Sequence, residues 1–313
     1  MGLPAGYEFR APTPDDLEAV ADVLIADQHE DAAEPVLDAD FIRMQWSRTD
    51  FDLDVDAWVV VDGAATIVSY GQVRQEEPDI VESWGVVHPG HRGRGIGPSL
   101  LDRIEARAAD LLAGVASPRF RHAINSGDRA AEAMLGVRGL RPVRHFWHMQ
   151  FDVMGPIEPG PAPEGIEIGG IEPSADLPVI HAILEEAFID DWGDHPEPFD
   201  EWVEGLATSP NHDPTLWLMA RDGATSVGVL TASAGDEGVW VDWLAVLASH
   251  RGRGIGAALL RRSFASFAAR GFRRVRLNVD AENPTGATGV YDRVGMRVVN
   301  RWDLWERANA ERV

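Results

Sequence analysis

The residues best suited to chemistry lie in one heptapeptide that occurs twice, His91-Arg92-Gly93-Arg94-Gly95-Ile96-Gly97 and His250-Arg251-Gly252-Arg253-Gly254-Ile255-Gly256. The copies stand 250 − 91 = 159 positions apart in a chain of 313 residues. Each follows a run with strand character (81–87 and 239–246) and precedes a run with helical spacing (99–105 and 257–264). A glycine-rich turn between strand and helix bares backbone N–H groups beside the positive end of the helix dipole. That is a site for an anion, and above all for a phosphate. Two other phosphate patterns fit worse. The P-loop needs Gly-Lys-Ser/Thr, and all 28 Lys/Arg positions here are arginine. The dinucleotide fingerprint Gly-x-Gly-x-x-Gly is out of register, because Gly256 falls one place early after Gly252-x-Gly254.

The turns need elements to hold them, and length and composition bound what those are. A chain of this length predicts about two domains of roughly 150 residues. With 45% hydrophobic and 25% charged residues, packed cores are expected and disorder is not. The absence of cysteine excludes disulfides, thiolate zinc sites and a cysteine nucleophile. A net charge of −23 argues against general nucleic-acid binding, since phosphates would be repelled. The same charge would draw in a cationic substrate, although solubility explains it more simply. No secretory leader or long apolar run is evident, so a soluble, cytoplasmic protein with no membrane partner is expected.

Along the chain the first half predicts a strand at 7–10 and a helix through Leu17, Val20, Val23 and Leu24, capped by Thr13 or Asp15. A second helix is expected around 41–46, then a strand–turn–strand through Trp58–Val61, Asp62-Gly63 and Thr66–Tyr70. The motif strand, turn and helix to about Leu112 follow, then a strand near 120–124, a helix near 128–135 and a closing strand at 143–151. Residues 152–165 hold four prolines and three glycines and form the expected linker. The second half repeats the first: Trp58 and Trp217 are 159 apart, as are Trp84 and Trp243. This marks an internal duplication. The expected fold is α+β or mixed α/β, each half a central mixed sheet flanked by helices. The expected domains are 1–152 and 166–313, joined by 153–165.

The pattern Arg-x-x-Gly-x-Gly after a strand ending Leu244-Ala245-Val246, and again after Gly85-Val86-Val87, resembles the acyl-CoA pyrophosphate loop of the GNAT N-acetyltransferase superfamily. The resemblance covers nearly the whole chain, and the tandem arrangement is similar to that of the mycothiol-synthase type. It implies acetyl-CoA as co-substrate. The amides of Arg251, Gly252, Arg253, Gly254, Ile255, Gly256 and Ala257 would hold the pyrophosphate, and the backbone of Leu244, Ala245 and Val246 the pantetheine arm. The corresponding first-half residues are Val86, Val87, Arg92, Gly93, Arg94, Gly95, Ile96 and Gly97.

The run Asn283-Pro-Thr-Gly-Ala287-Thr-Gly-Val-Tyr291-Asp-Arg-Val-Gly295 resembles the family's Asn-x-x-Ala-x-x-x-Tyr-x-x-x-Gly signature. This implies that Tyr291 protonates the departing thiolate, and it groups Asn283 with the cofactor-binding residues. Asp242, on the motif strand, is a candidate base or amine-positioning group; a solvated strand carboxylate is the alternative. The first half has Leu135 and Ser83 at these places, so its chemistry is expected to be lost. For the acceptor, Trp192, Asp194, His195 and Glu197 suit an ammonium through charge and cation–π contact. An exposed acidic loop anchored by Trp192 and Trp202 is the competing reading, and no spacing supports a metal site. The function these readings imply is acetyl transfer to a small-molecule primary amine by a monomer or homodimer. A non-catalytic acyl-CoA-binding regulatory protein and a protein-modifying acetyltransferase are the alternatives.

Overall fold

Each half is built around a hairpin whose turn begins Asp-Gly, and whose strands carry apolar residues on both faces. The computed structural model describes residues 2–30, 37–189, 192, 197–209, 211–235, 238–283 and 285–308. The first half contains Tyr7–Arg10 (β1), Leu17–Glu30 (α1), Ala39–Trp46 (α2), Leu53–Asp56 (α3), Ala57–Asp62 (β2), Ile67–Glu77 (β3), Ile80–Val87 (β4), Ile96–Leu111 (α4), Arg119–Asn125 (β5), Arg129–Val137 (α5) and Arg141–Asp152 (β6). The second contains Ile166–Gly169 (β7), Pro173–Phe188 (α6), Phe199–Thr208 (α7), Leu218–Asp222 (β8), Thr225–Gly235 (β9), Gly238–Val246 (β10), Ile255–Ala269 (α8), Arg274–Asp280 (β11), Ala287–Arg293 (α9) and Arg297–Ala308 (β12). In each half an antiparallel meander passes into a parallel pair through the helix after the glycine turn. This is the α+β order expected from the sequence.

Local chemistry explains the element starts. Thr13 and Asp16 exchange bonds ahead of α1, with the Thr13 N–H donating to Asp16 Oδ2 at 2.7 Å. Asp128 caps α5, its Oδ1 accepting the Ala130 and Ala131 N–H groups at 3.0 Å. Helix α4 buries Ile96, Leu100, Leu101, Ile104 and Ala108, a helical stripe, and most of it packs with Val73, Val81 and Phe120. On the opposite sheet face Val20, Val23, Leu24 and Ile42 of α1 and α2 pack with Tyr70 and Val86. Among the described residues no helix is long and apolar enough to cross a membrane.

The compact units do not divide at the linker as expected. Unit 1 is Met1–Trp147 with Val299–Val313, and unit 2 is His148–Val298. The last strand of each half is exchanged. In unit 1, β12 pairs antiparallel with β5, from Trp302↔Asn125 to Ala308↔Arg119. In unit 2 the order is β6-β11-β10-β9-β8-β7. Specific groups fix each choice. Arg121 of β5, with a side chain 5% exposed, donates to Glu82 and Glu306, both at 2.9 Å. In unit 2, Phe151 of β6 stacks on Phe264 at 4.4 Å, and Arg276 Nε donates to Gln150 Oε1 at 3.0 Å. A strand's alternation says that one face is apolar; it does not say which sheet edge the strand will join. A chain ending at Val298 should therefore lose hydrogen-exchange protection first in β5, far away in sequence, while β11 keeps its protection.

Candidate active site

The centre of unit 2 is an irregularity in β10. Its register with β9 runs Trp240↔Ser233 and Val241↔Ala232, then resumes at Trp243↔Thr231, leaving Asp242 as an extra, unpaired residue. This β-bulge has two consequences. Ser233 and Thr231 share a sheet face, so Trp240 and Trp243, directly opposite them, lie on that face too. Asp242 joins them, its Oδ1 accepting the Ser233 hydroxyl at 2.8 Å. Second, among the described residues the parallel pairing of β10 with β11 stops at Val239↔Val275 and Trp240↔Arg276. The β11-facing backbone edge of β10 from Val241 to Val246 is left without a ladder partner.

Unit 1 lacks the bulge at the matching place. There β3 and β4 stay in register from Ser69↔Val87 to Gln75↔Val81, and β4 pairs with β5 through Ser83↔His122 and Trp84↔Ala123. Ser83 ties the two strands together. Its hydroxyl donates to Arg121 O at 2.9 Å and meets His122 Nδ1 at 2.7 Å, with all three residues buried. Burial, reinforced by Arg138, pushes the His122 imidazole down to about 4, so it stays neutral. Each such hydrogen bond contributes about 0.5–1.5 kcal/mol toward keeping the strands closed.

Asp242 is solvent-reachable yet walled by protein. Water touches the carboxylate while surrounding protein limits its hydration. Burial pushes its pKa up to about 6, opposed only partly by the Ser233 hydrogen bond. Tyr291 lies on α9, which packs beside the start of α8: an ideal Cβ on Gly256 would stand 3.9 Å from Val290 Cγ1. Tyr291 is 8% exposed, whereas Leu135 is fully enclosed in the core of unit 1. Asn283 shapes the turn ahead of α9, its Oδ1 accepting the Thr285 N–H at 2.9 Å.

The two glycine loops have the same backbone. Gly252 and Gly254 have φ of 77° and 83°, and Gly93 and Gly95 have 72° and 87°, a left-handed region that penalises a Cβ by about 1–2 kcal/mol. Gly254 and Gly95 are the N-caps, so no side chain caps the first turns of α8 and α4. The N–H groups there are presented for an anion. Gly256 and Gly97 are different. Neither has a positive φ, and an added Cβ would meet protein only at 3.8–3.9 Å. The fold does not demand glycine at these two places.

The arginines do other work. Arg251 donates to Val246 O at 3.0 Å and Ala187 O at 2.8 Å, clamping the end of α6 to the end of β10. Arg253 donates to Asp222 Oδ2 at 2.7 Å and Glu164 O at 3.3 Å. In unit 1, Arg92 likewise donates to Val87 O at 3.3 Å, and its other partner is the Asp27 carboxylate, which also accepts from Asn125 at 3.0 Å. Arg94 donates to the Tyr7 hydroxyl at 2.8 Å, and that hydroxyl meets His91 Nδ1 at 2.9 Å.

Of the acceptor residues expected from the sequence, Asp194 and His195 lie outside the described residues. Trp192 is half-buried and Glu197 exposed. Glu197 O bonds His181 Nε2 at 2.8 Å, and Trp202 is buried 6.4 Å from the Trp217 ring, so Trp202 anchors this region rather than facing an acceptor. Sequence reasoning missed Ser233, and it took Trp243 only as a landmark of the repeat. Phe188 lies 5.1 Å from the Trp243 ring. Among the described residues no group of histidines and carboxylates forms a metal site.

Because Asp242 titrates higher in the folded protein than the usual carboxylate value of 3.8, its ionisation opposes folding. The cost is absent below about pH 4, grows between 4 and 6, and is constant above. Asp242→Asn should therefore raise Tm at pH 8, with the gain shrinking toward pH 4 in thermal melts.

Comparison with known proteins agrees with this geometry. The sequence model of the Acetyltransferase (GNAT) family matches residues 21–126 and again 177–296. A mycothiol acetyltransferase of Thermobispora bispora is 29% identical, covering 93% of this chain and 95% of the relative. That of Cellulomonas flavigena is 32% identical over 76% of this chain and 71% of the relative. The crystal structure of a GCN5-related N-acetyltransferase from Sphaerobacter thermophilus superposes with a TM-score of 0.84 at 32% identity, covering 98% of this chain and 96% of that one. With two matches that each span a glycine loop and its flanking strands and helices, the chain belongs to the GNAT acetyltransferase family and is a tandem-domain N-acetyltransferase.

Proposed function

We propose that unit 2 transfers the acetyl group of acetyl-CoA to the primary amine of a small molecule, and that unit 1 does not catalyse. The observation that carries this is the bulge at Asp242, which frees the β11-facing edge of β10 from Val241 to Val246. An extended amide-bearing arm can add to that edge as a strand would. The amides from Gly252 to Ala257 would hold the pyrophosphate, and Leu244, Ala245 and Val246 the pantetheine. Acetyl-CoA supplies the thioester. In unit 1 the positions that match 241–243 are closed by pairing with β5 and by Ser83 and His122, while among the described residues 85–87 have no β5 partner.

Within that site the chain's residues have separate tasks. Asp242 accepts a proton from the incoming ammonium, directly or through water, and its raised pKa suits it to do so near neutrality. Amine nitrogen bonds to the acyl carbon as the C–S bond breaks. Tyr291 gives its proton to the leaving sulfur, and the second proton lost by the acylated nitrogen returns to the tyrosinate, directly or through water. The net charge of −23 favours a cationic acceptor at the protein surface. These requirements are met in the cytoplasm, where acetyl-CoA is made.

Release of free thiol from acetyl-CoA with a set of small primary amines tests the reading; tight CoA binding with no turnover would favour a regulatory acyl-CoA-binding protein. Tyr291→Phe should lower kcat at least about tenfold, with calorimetric affinity for acetyl-CoA nearly unchanged. For the wild type, kcat/KM should fall as pH drops through about 6, the value to which Asp242 is pushed. Asp242→Asn should remove that limb of the profile along with most of the activity.

A further inference from the structure

We propose that Trp243 is the surface on which the acceptor's carbon skeleton lies, and that it selects primary amines carried on a ring or other flat apolar body over linear amines of equal charge. The proposal rests on acetyl transfer at Asp242 as set out above. Among the described residues Trp243 is the one large aromatic side chain with substantial exposure, at 44%. An indole left in water forgoes the stabilisation that burial would bring, so its position calls for an explanation. The bulge supplies the geometry. With Asp242 unpaired, Trp243 returns to the face that carries Ser233 and the Asp242 carboxylate. In a regular strand, neighbours 242 and 243 would point to opposite faces.

The surface is held from behind. Phe188 packs against the indole with ring centroids 5.1 Å apart and planes at 59°. The preceding residue, Ala187, has its carbonyl fixed by Arg251 at 2.8 Å. Arg251 belongs to the glycine loop and also grips Val246 O at the end of β10. The aromatic pair is therefore tied to the segment proposed to hold acetyl-CoA. Unit 1 shows the contrast. Its matching Trp84 stands 5.2 Å from the Tyr70 ring and 5.8 Å from the Phe41 ring. Tyr70 is in turn locked between Trp46 and Gln72 by hydrogen bonds of 2.8 Å. These rings leave Trp84 half-buried, while in unit 2 the indole stays 44% exposed on the face that carries the Asp242 carboxylate. A primary amine lying across Trp243 directs its nitrogen toward Asp242, and the extent of its flat surface decides how much indole it covers.

Steady-state kinetics of the full chain with acetyl-CoA provide the test, comparing benzylamine and cyclohexylmethylamine with propylamine and ethanolamine. Wild-type kcat/KM should favour the ring-bearing amines by about tenfold or more, the scale of discrimination that apolar contact supplies. Trp243→Ala should bring the ratio to within about twofold, and Trp243→Phe should keep most of it, with unchanged Tm and CoA affinity. No preference in the wild type, or the same preference in Trp243→Ala, would overturn the proposal. If no amine is acetylated, saturation-transfer NMR of benzylamine on the CoA-loaded protein separates the two readings. Contact with wild type but not with Trp243→Ala sustains the platform while refuting amine acetylation; absence of contact refutes the platform.

Discussion

An antiparallel ladder can absorb one extra residue on one strand, at the cost of a local bend and an unpaired backbone position. In unit 2 that residue is Asp242, and much of the site depends on it. The bulge brings Asp242 and Trp243 onto one face and ends the pairing of β10 with β11 after Trp240. It also places the carboxylate where protein limits its hydration, which pushes its pKa up. One insertion in register thus governs side-chain direction, strand separation and acidity together.

Unit 1 shows the same architecture with the irregularity at that place absent. Its strands stay paired to Trp84, and Ser83 joins β4 to β5 through buried hydrogen bonds. Its aromatic residues form a connected set in which Trp46 donates to Tyr70 and Tyr70 donates to Gln72. Burial raises the Tyr70 hydroxyl well above its ordinary range, so it remains a neutral bonding partner. Buried polar groups satisfied in this way rigidify a core.

The glycine loops unite the halves and also separate them. Their backbones match at the left-handed glycines and at the uncapped helix starts. Their first arginines share one bond, from Arg251 to Val246 O and from Arg92 to Val87 O, and differ in the other: Arg251 donates to Ala187 O of α6, and Arg92 pairs with the Asp27 carboxylate of α1. Each loop has a carboxylate beside it, Asp27 at Arg92 in unit 1 and Asp222 at Arg253 in unit 2.

What the sequence determined by itself was local or repeated. The heptapeptides, the 159-residue spacing and the apolar periodicities specified the strand–turn–helix units, the α+β order and the family. These depend on φ preferences, helix caps and alternation, all of which act between near neighbours. Tertiary structure alone decided the exchange of β6 and β12, because either closing strand has an apolar face and long-range partners such as Arg121–Glu306 choose its edge. It alone decided the bulge, since Val239–Val246 alternates no differently from a regular strand until its register with β9 is known. Asp242 and Ser83 could be distinguished by residue type, but that one stands outside the ladder and the other bonds across a strand seam is a property of the paired strands. Register is set by the whole sheet, and no window of sequence contains it.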